Sequence, residues 1–205
     1  NARYPTERIT EMSHLYRPLG IGYANLGALL MAQGKPYDGD EGRSYAAAVT
    51  ALLTGEAYAQ SARLAQSQGP FERYEQNAEH MLRVIDQHIE ALEEIASGGG
   101  PSEIIEAASL AWDEARTGGR HHGFRNAQAS VLAPTGTIAF MMDCDTTGIE
   151  PDIALIKHKK LVGGGTMRIV NQTVPRALRK LGYTETEVQE ITRHIDAKNT
   201  IEGCP

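Results

Sequence analysis

Apolar positions recur at intervals of three and four through most of the first 115 residues, the spacing of helices that bury one stripe against a core. The clearest run is Met81, Leu82, Ile85, Ile89 and Leu92, which predicts an amphipathic helix from about Asn77. Thr6 is placed to cap a short helix through Met12 that Arg17-Pro18 ends, because the residue before proline is pushed out of the α region. A small-residue helix is predicted over Ile21 to Ala32, and a long Ala-rich one from Asp38 or Asp40 to about Gln68, closed by Gly69-Pro70. Ser97 to Gly100 reads as a flexible joint, after which Ser102 opens a helix through Ala115 anchored by Trp112.

The pattern changes after Gly118-Gly119. Residues 120 to 168 carry strand-like runs, glycine turns and polar loops, and two further helices are predicted over Val170 to Leu181 and Thr184 to Lys198, the second with a Thr184/Glu187 capping box. The expected organisation is one domain in three stretches: 1–118 mainly helical, 119–168 strand and loop, 169–205 two helices. No internal repeat of solenoid period is present.

Composition narrows the class. With 41% hydrophobic and 22% charged residues the chain is an ordinary globular sequence, and its net charge of −6 argues against a nucleic-acid surface. No apolar stretch approaches the roughly 20 residues that cross a bilayer. Two cysteines, Cys144 and Cys204, fit a reducing compartment, so a cytoplasmic location is expected. The chain opens on Asn1 and closes on Cys204-Pro205, which reads as an internal piece of something longer.

The densest candidate chemistry lies at Ala133-Pro134-Thr135-Gly136-Thr137-Ile138. Val131 to Ala133 read as the end of a buried strand, Gly136 permits close approach of a ligand, and a helix beginning at Thr137 would present unpaired amides to an anion. The same residues also suit an ordinary turn. The Gly-Lys-Ser/Thr ending of a P-loop is lacking, which excludes that class of nucleotide-triphosphatase.

Other clusters are weaker. His121 and His122, adjacent in a strand, would point to opposite faces and could not share a metal, and Glu11-x-x-His14 is half of a di-iron signature with no second copy, so no metal site is expected. Cys144 lies between Asp143 and Asp145, whose charges would raise its pKa. Lys157, Lys159 and Lys160 before Gly163 to Gly165 suit an anion contact or a charged edge strand.

Taken in order, Arg17 to Gly22, Arg125 to Gln128, Ala133 to Ile138, Met142 to Asp152, Lys157 to Gly165 and Asn199 to Gly203 resemble segments of the adenosylcobalamin-dependent (class II) ribonucleotide reductases. The resemblance spans essentially the whole chain. It implies an α/β fold: a mostly helical portion, with few strands, of a ten-stranded ribonucleotide-reductase barrel. It further implies reduction of ribonucleoside diphosphates (or triphosphates) to 2′-deoxyribonucleotides by a thiyl radical formed with adenosylcobalamin, a reducing thiol system such as thioredoxin as partner, and contact with the remainder of a longer chain.

Carried over residue by residue, the family's substrate phosphate loop falls on Pro134, Thr135, Gly136, Thr137 and Ile138. The family's Asn-x-Cys-x-Glu motif and paired redox cysteines have no match here: Cys144 stands in Asp-Cys-Asp and Cys204 in Gly-Cys-Pro. No catalytic residue is therefore assigned, and the chain alone is expected to be inactive. The alternatives are a glycyl-radical relative sharing the barrel and a non-catalytic helical interaction domain.

Overall fold

A computed structural model describes residues 3–98 and 100–204. The chain divides into two compact units, one made of residues 1–22 and 43–132, the other of residues 23–42 and 133–205.

The first unit is helical. Helix α1 (Glu7–Tyr16) starts where the Thr6 hydroxyl accepts the Ile9 N–H at 3.2 Å, and it ends at Arg17, whose left-handed backbone (φ 47°) directs its N–H back to the Ser13 carbonyl. Most of α3 (Asp40–Gln68) follows in this unit, with α4 (Tyr74–Ser97) and α5 (Ser102–His122). Their core gathers Tyr58, Ala59 and Ala62 of α3, Ile85 and Leu92 of α4, Ala108, Trp112 and Ala115 of α5, and Phe124 beyond it. The Tyr58 and Phe124 rings meet edge to face at 5.6 Å.

Small residues on α3 and α5 let the two helices approach closely. A Cβ on Gly55 would lie 3.2 Å from the Ala111 methyl and from the Trp112 indole. Helix α5 continues to His122, beyond the expected stop at Ala115, and the Gly118-Gly119 pair sits inside it rather than after it. Packing explains the difference: a Cβ on Gly118 would meet Ala62 at 3.0 Å, and one on Gly119 would lie 2.2 Å from the Phe124 ring. Glycine is needed there for approach, at a helix-propensity cost of about 1 kcal/mol each.

Two extended segments complete this unit. Leu19 and Ile21 donate to the Gln128 and Ala129 carbonyls, and Val131 donates to Ile21, a short parallel pairing centred on Ile21 and Ser130. Ile21 is thus extended, and the predicted helix over Ile21 to Ala32 shortens to α2 (Leu26–Ala32) in the second unit. The cause is the crossing of a segment distant in sequence: Val131 passes so close that a Cβ on Gly22 would lie 2.1 Å from its carbonyl oxygen. Val131 and Leu132, expected to be buried, are 40% and 41% exposed. A parallel strand needs cover on both faces, and these two residues lack it.

The second unit contains α2, α6 (Gly136–Met141), the hairpin of β1 (Ile156–Lys160) and β2 (Thr166–Val170), α7 (Val174–Lys180) and α8 (Glu185–Lys198). Ile156 pairs with Val170 and Lys160 with Thr166 in antiparallel register. The turn runs through Gly163, Gly164 and Gly165, all at φ above 90°, where glycine escapes the Cβ strain of other residues. Of the strand-like character read over residues 120 to 168, this hairpin and the isolated parallel pairing of Ser130 with Ile21 form among the described residues. Its second strand takes Val170, so α7 begins at Val174 rather than Val170. Ile156, Val174, Leu178, Val188, Ile191 and Ile195 form the core. Helix α8 has the predicted cap, with Thr184 N–H donating to Glu187 at 2.7 Å and Glu187 N–H to the Thr184 hydroxyl at 3.4 Å.

Candidate functional site

Residues 133–138 lie in the second unit as a bend into α6. The helix starts at Gly136, one residue before the expected Thr137, and Thr135 takes the N-cap position in a left-handed conformation (φ 54°). Its carbonyl receives the Ala139 N–H at 2.8 Å, while the N–H groups of Gly136, Thr137 and Ile138 find no backbone acceptor among the described residues. These three amides are the orphan donors expected of a helix start. Pro134, Gly136, Thr137 and Ile138 are exposed and Thr135 is half-buried.

Gly136 has nothing within 4 Å of a would-be Cβ, and its φ is not positive. Neither packing nor backbone conformation within the chain calls for glycine there. The two threonines differ. The Thr135 hydroxyl accepts the Gly148 N–H at 2.6 Å and keeps only its own proton to donate outward, whereas the Thr137 hydroxyl has no protein partner among the described residues.

Behind this bend lies a second loop, residues 143–152, whose anchors the sequence did not single out. Thr146 is 1% exposed; its hydroxyl accepts the Ala28 N–H at 3.1 Å and its N–H donates to the Asn25 side chain at 3.1 Å. Asp145 accepts the Gln172 N–H at 2.9 Å and the Thr173 hydroxyl. Asp152 pairs with Lys157 at 2.5 Å and accepts the Asn171 amide at 2.6 Å, and the Lys157 ammonium also reaches the Asp145 carbonyl at 2.6 Å. The Lys157 and Asp152 side chains are 12% and 8% exposed, so the pair is held away from water. Lys157 spends its charge on Asp152 rather than on an external anion, and Lys159 lies over the Phe140 ring of α6 at 4.4 Å.

The remaining candidates separate. His121 and His122 lie on a helix rather than a strand, at its last turn, and among the described residues no group of three or more His, Cys, Asp or Glu is placed to hold a metal. Burial pushes the Cys144 thiol up from its ordinary value, and the carboxylates of Asp143 and Asp145 add to the shift, which disfavours the reactive thiolate. In the first unit, Arg125 donates to the Gln68 and Gly69 carbonyls at 3.2 and 3.1 Å, closing the end of α3, and buried Asn126 ties the Ser61 hydroxyl to the Arg17 carbonyl. Those two motif residues serve the local fold.

The family model described as "Ribonucleotide reductase, barrel domain" matches residues 1–205, and the chain belongs to that family. It is 54% identical over its whole length to a vitamin B12-dependent ribonucleotide reductase of Rhodopirellula baltica, of which it covers 20%. It is 51% identical to the enzyme of that name from Streptomyces coelicolor, of which it covers 21%. A vitamin B12-dependent ribonucleoside-diphosphate reductase of Mycobacterium tuberculosis is 28% identical over 204 residues, 23% of its length. The chain thus spans about a fifth of the relatives named here. Family membership supports the ribonucleotide-reductase reading over the glycyl-radical and helical-interaction alternatives. The mostly helical architecture with one two-stranded sheet among the described residues agrees with a portion of that barrel.

Proposed function

We propose that this chain supplies the substrate phosphate loop of a vitamin B12-dependent ribonucleotide reductase, with Pro134, Thr135, Gly136, Thr137 and Ile138 receiving the phosphates of a ribonucleoside diphosphate. The observation that carries this is Gly136, open on its Cβ side and flanked by the free amides of Thr137 and Ile138. Backbone N–H groups stabilise phosphate oxygens as charge-assisted hydrogen bonds, and the exposed Thr137 hydroxyl adds a donor. No lysine is required in such a loop. The choice of diphosphate follows the substrate in the name of the Mycobacterium tuberculosis relative.

Adenosylcobalamin, when bound, supplies the radical from which thiyl chemistry starts. No described residue is assigned to it: the buried side-chain polar atom without a partner among them, Trp112 Nε1, sits in the packed helical core and faces no cradle for such a group. Its site, the radical and redox cysteines and the contact with a thiol reductant such as thioredoxin are assigned to other parts of the full-length chain. The cytoplasmic location belongs to the same proposal. Among the described residues no helix is long and apolar enough to cross a membrane.

The test is Gly136→Val in the full-length enzyme. No described neighbour lies within 4 Å of the new Cβ, so the fold should be kept while KM for the ribonucleotide rises sharply. An unchanged KM would remove the phosphate assignment.

A further inference from the structure

Gly148 touches the phosphate loop through backbone alone. Its N–H donates to the Thr135 hydroxyl at 2.6 Å, and its own φ is +45°. A Cβ there would lie 2.7 Å from the Ala133 carbonyl oxygen and 3.2 Å from that of Pro134. Both obstacles are main chain and cannot rotate aside as a side chain would. The Gly148 carbonyl in turn receives the Leu26 N–H at 3.4 Å. Around it the loop is pinned by Thr146 to Asn25 and Ala28, and by the Tyr37 hydroxyl donating to the Ile149 carbonyl at 2.7 Å.

We propose that Gly148 is a positioning residue for substrate binding: its N–H locks the Thr135 hydroxyl and its missing side chain seats residues 133–135, which hold the start of α6 and its unpaired amides at residues 136–138 in place. Thr135 is not a glycine, yet it holds a left-handed backbone (φ 54°) that its own Cβ disfavours. The side-chain acceptor bond to Gly148 is the contact that offsets this strain. Thr135 therefore acts through its neighbour as well as toward the ligand, and residues 143–152 set the binding geometry without touching the nucleotide. The inference rests on the phosphate-loop reading.

The experiment uses full-length enzyme, cytidine diphosphate as substrate, and the variants Gly148→Ala, Thr135→Ser, Thr135→Val, their Val/Ala double and Gly136→Val. Gly148→Ala and Thr135→Val should each raise KM, on the order of 10- to 100-fold, with a much smaller change in kcat, because contacts to the phosphates, away from the reacting ribose, are shared by the ground and transition states. Thr135→Ser keeps the hydroxyl and should hold KM near the parent value. Gly148→Ala keeps the N–H but its Cβ pushes residues 133–135 away, and Thr135→Val removes the acceptor; because both displace the same loop, their effects on KM should combine in the double variant to less than their product, and fully multiplying effects would mean that the two residues act independently and would overturn the lock. Should Gly148→Ala fail to fold, the comparison of Ser with Val at position 135 still decides whether the hydroxyl matters. If Gly136→Val raises KM while Gly148→Ala is folded and leaves it unchanged, the positioning role falls and the phosphate loop stands. If Gly136→Val itself has no effect on KM, the phosphate-loop reading fails and takes the positioning role with it.

Discussion

The buried pair of Lys157 and Asp152 offers the most quantitative perturbation. Replacing Lys157 by Met leaves the Asp152 carboxylate 8% exposed without the ammonium 2.5 Å away, and leaves the Asp145 carbonyl without its 2.6 Å donor. Breaking a buried ion pair by removing one partner costs about 3–5 kcal/mol. The Asn171 amide still donates to Asp152 at 2.6 Å, and a hydrogen bond to a charged group contributes about 1.5–3 kcal/mol, which places the expected loss near the lower end, about 3 kcal/mol. Asp152→Asn keeps an acceptor for Asn171 but strands the lysine, and should cost a similar amount. The double variant removes both charges, so its loss should fall short of the sum of the singles by about 2 kcal/mol. Urea unfolding reads this as a shift in midpoint at constant slope. Single-variant losses below about 1 kcal/mol, or additivity within about 0.5 kcal/mol, would show that water screens the pair and that it does not hold residues 143–152.

Other consequences follow from particular contacts. Gly119→Ala should destabilise by about 1–3 kcal/mol despite a helix-propensity gain of about 1 kcal/mol, since the new methyl would meet the Phe124 ring; a rise in urea midpoint would contradict the packing. Thr184→Ala removes the hydroxyl that accepts the Glu187 N–H at the start of α8, leaving the backbone N–H of residue 184 to donate to Glu187, and should cost about 1 kcal/mol, measured as a fall in Tm. Alkylation of Cys144 should titrate above the ordinary thiol range, and Asp143→Asn with Asp145→Asn should move it down; an unmoved profile would discount the carboxylates. His88 lies with one ring face stacked on Trp112 at 4.9 Å, and this burial lowers its pKa. The unfolded chain therefore binds the proton first, so stability should fall as pH drops from about 6.5 toward the folded pKa, and His88→Gln should flatten that slope.

What the sequence revealed follows the range of the forces involved. Helices with a regular apolar stripe, such as α4, and helices with side-chain caps, such as α1 and α8, were legible because the deciding contacts lie within four residues. Gly118-Gly119 misled because the same residue type breaks isolated helices and permits close packing, and only Phe124 and Ala62 decide between them. Ile21 misled for a related reason: its pairing partner, Ser130, lies more than a hundred residues away. At the candidate site the Pro-Thr-Gly-Thr composition exposed the loop itself. The bond from the Gly148 N–H to the Thr135 hydroxyl, and the Asp152, Lys157 and Asn171 cluster, join residues whose spacing matches no periodicity, so composition could not show them.

Residues 134–138 are proposed to hold phosphate and not the nucleoside. Binding of cytidine diphosphate and of cytidine to the full-length enzyme, each with and without Gly136→Val, tests it most directly. The substitution should weaken the diphosphate at least tenfold, a change of about 1.4 kcal/mol, while cytidine is bound as before. Equal losses for both ligands, or none for the diphosphate, would contradict it.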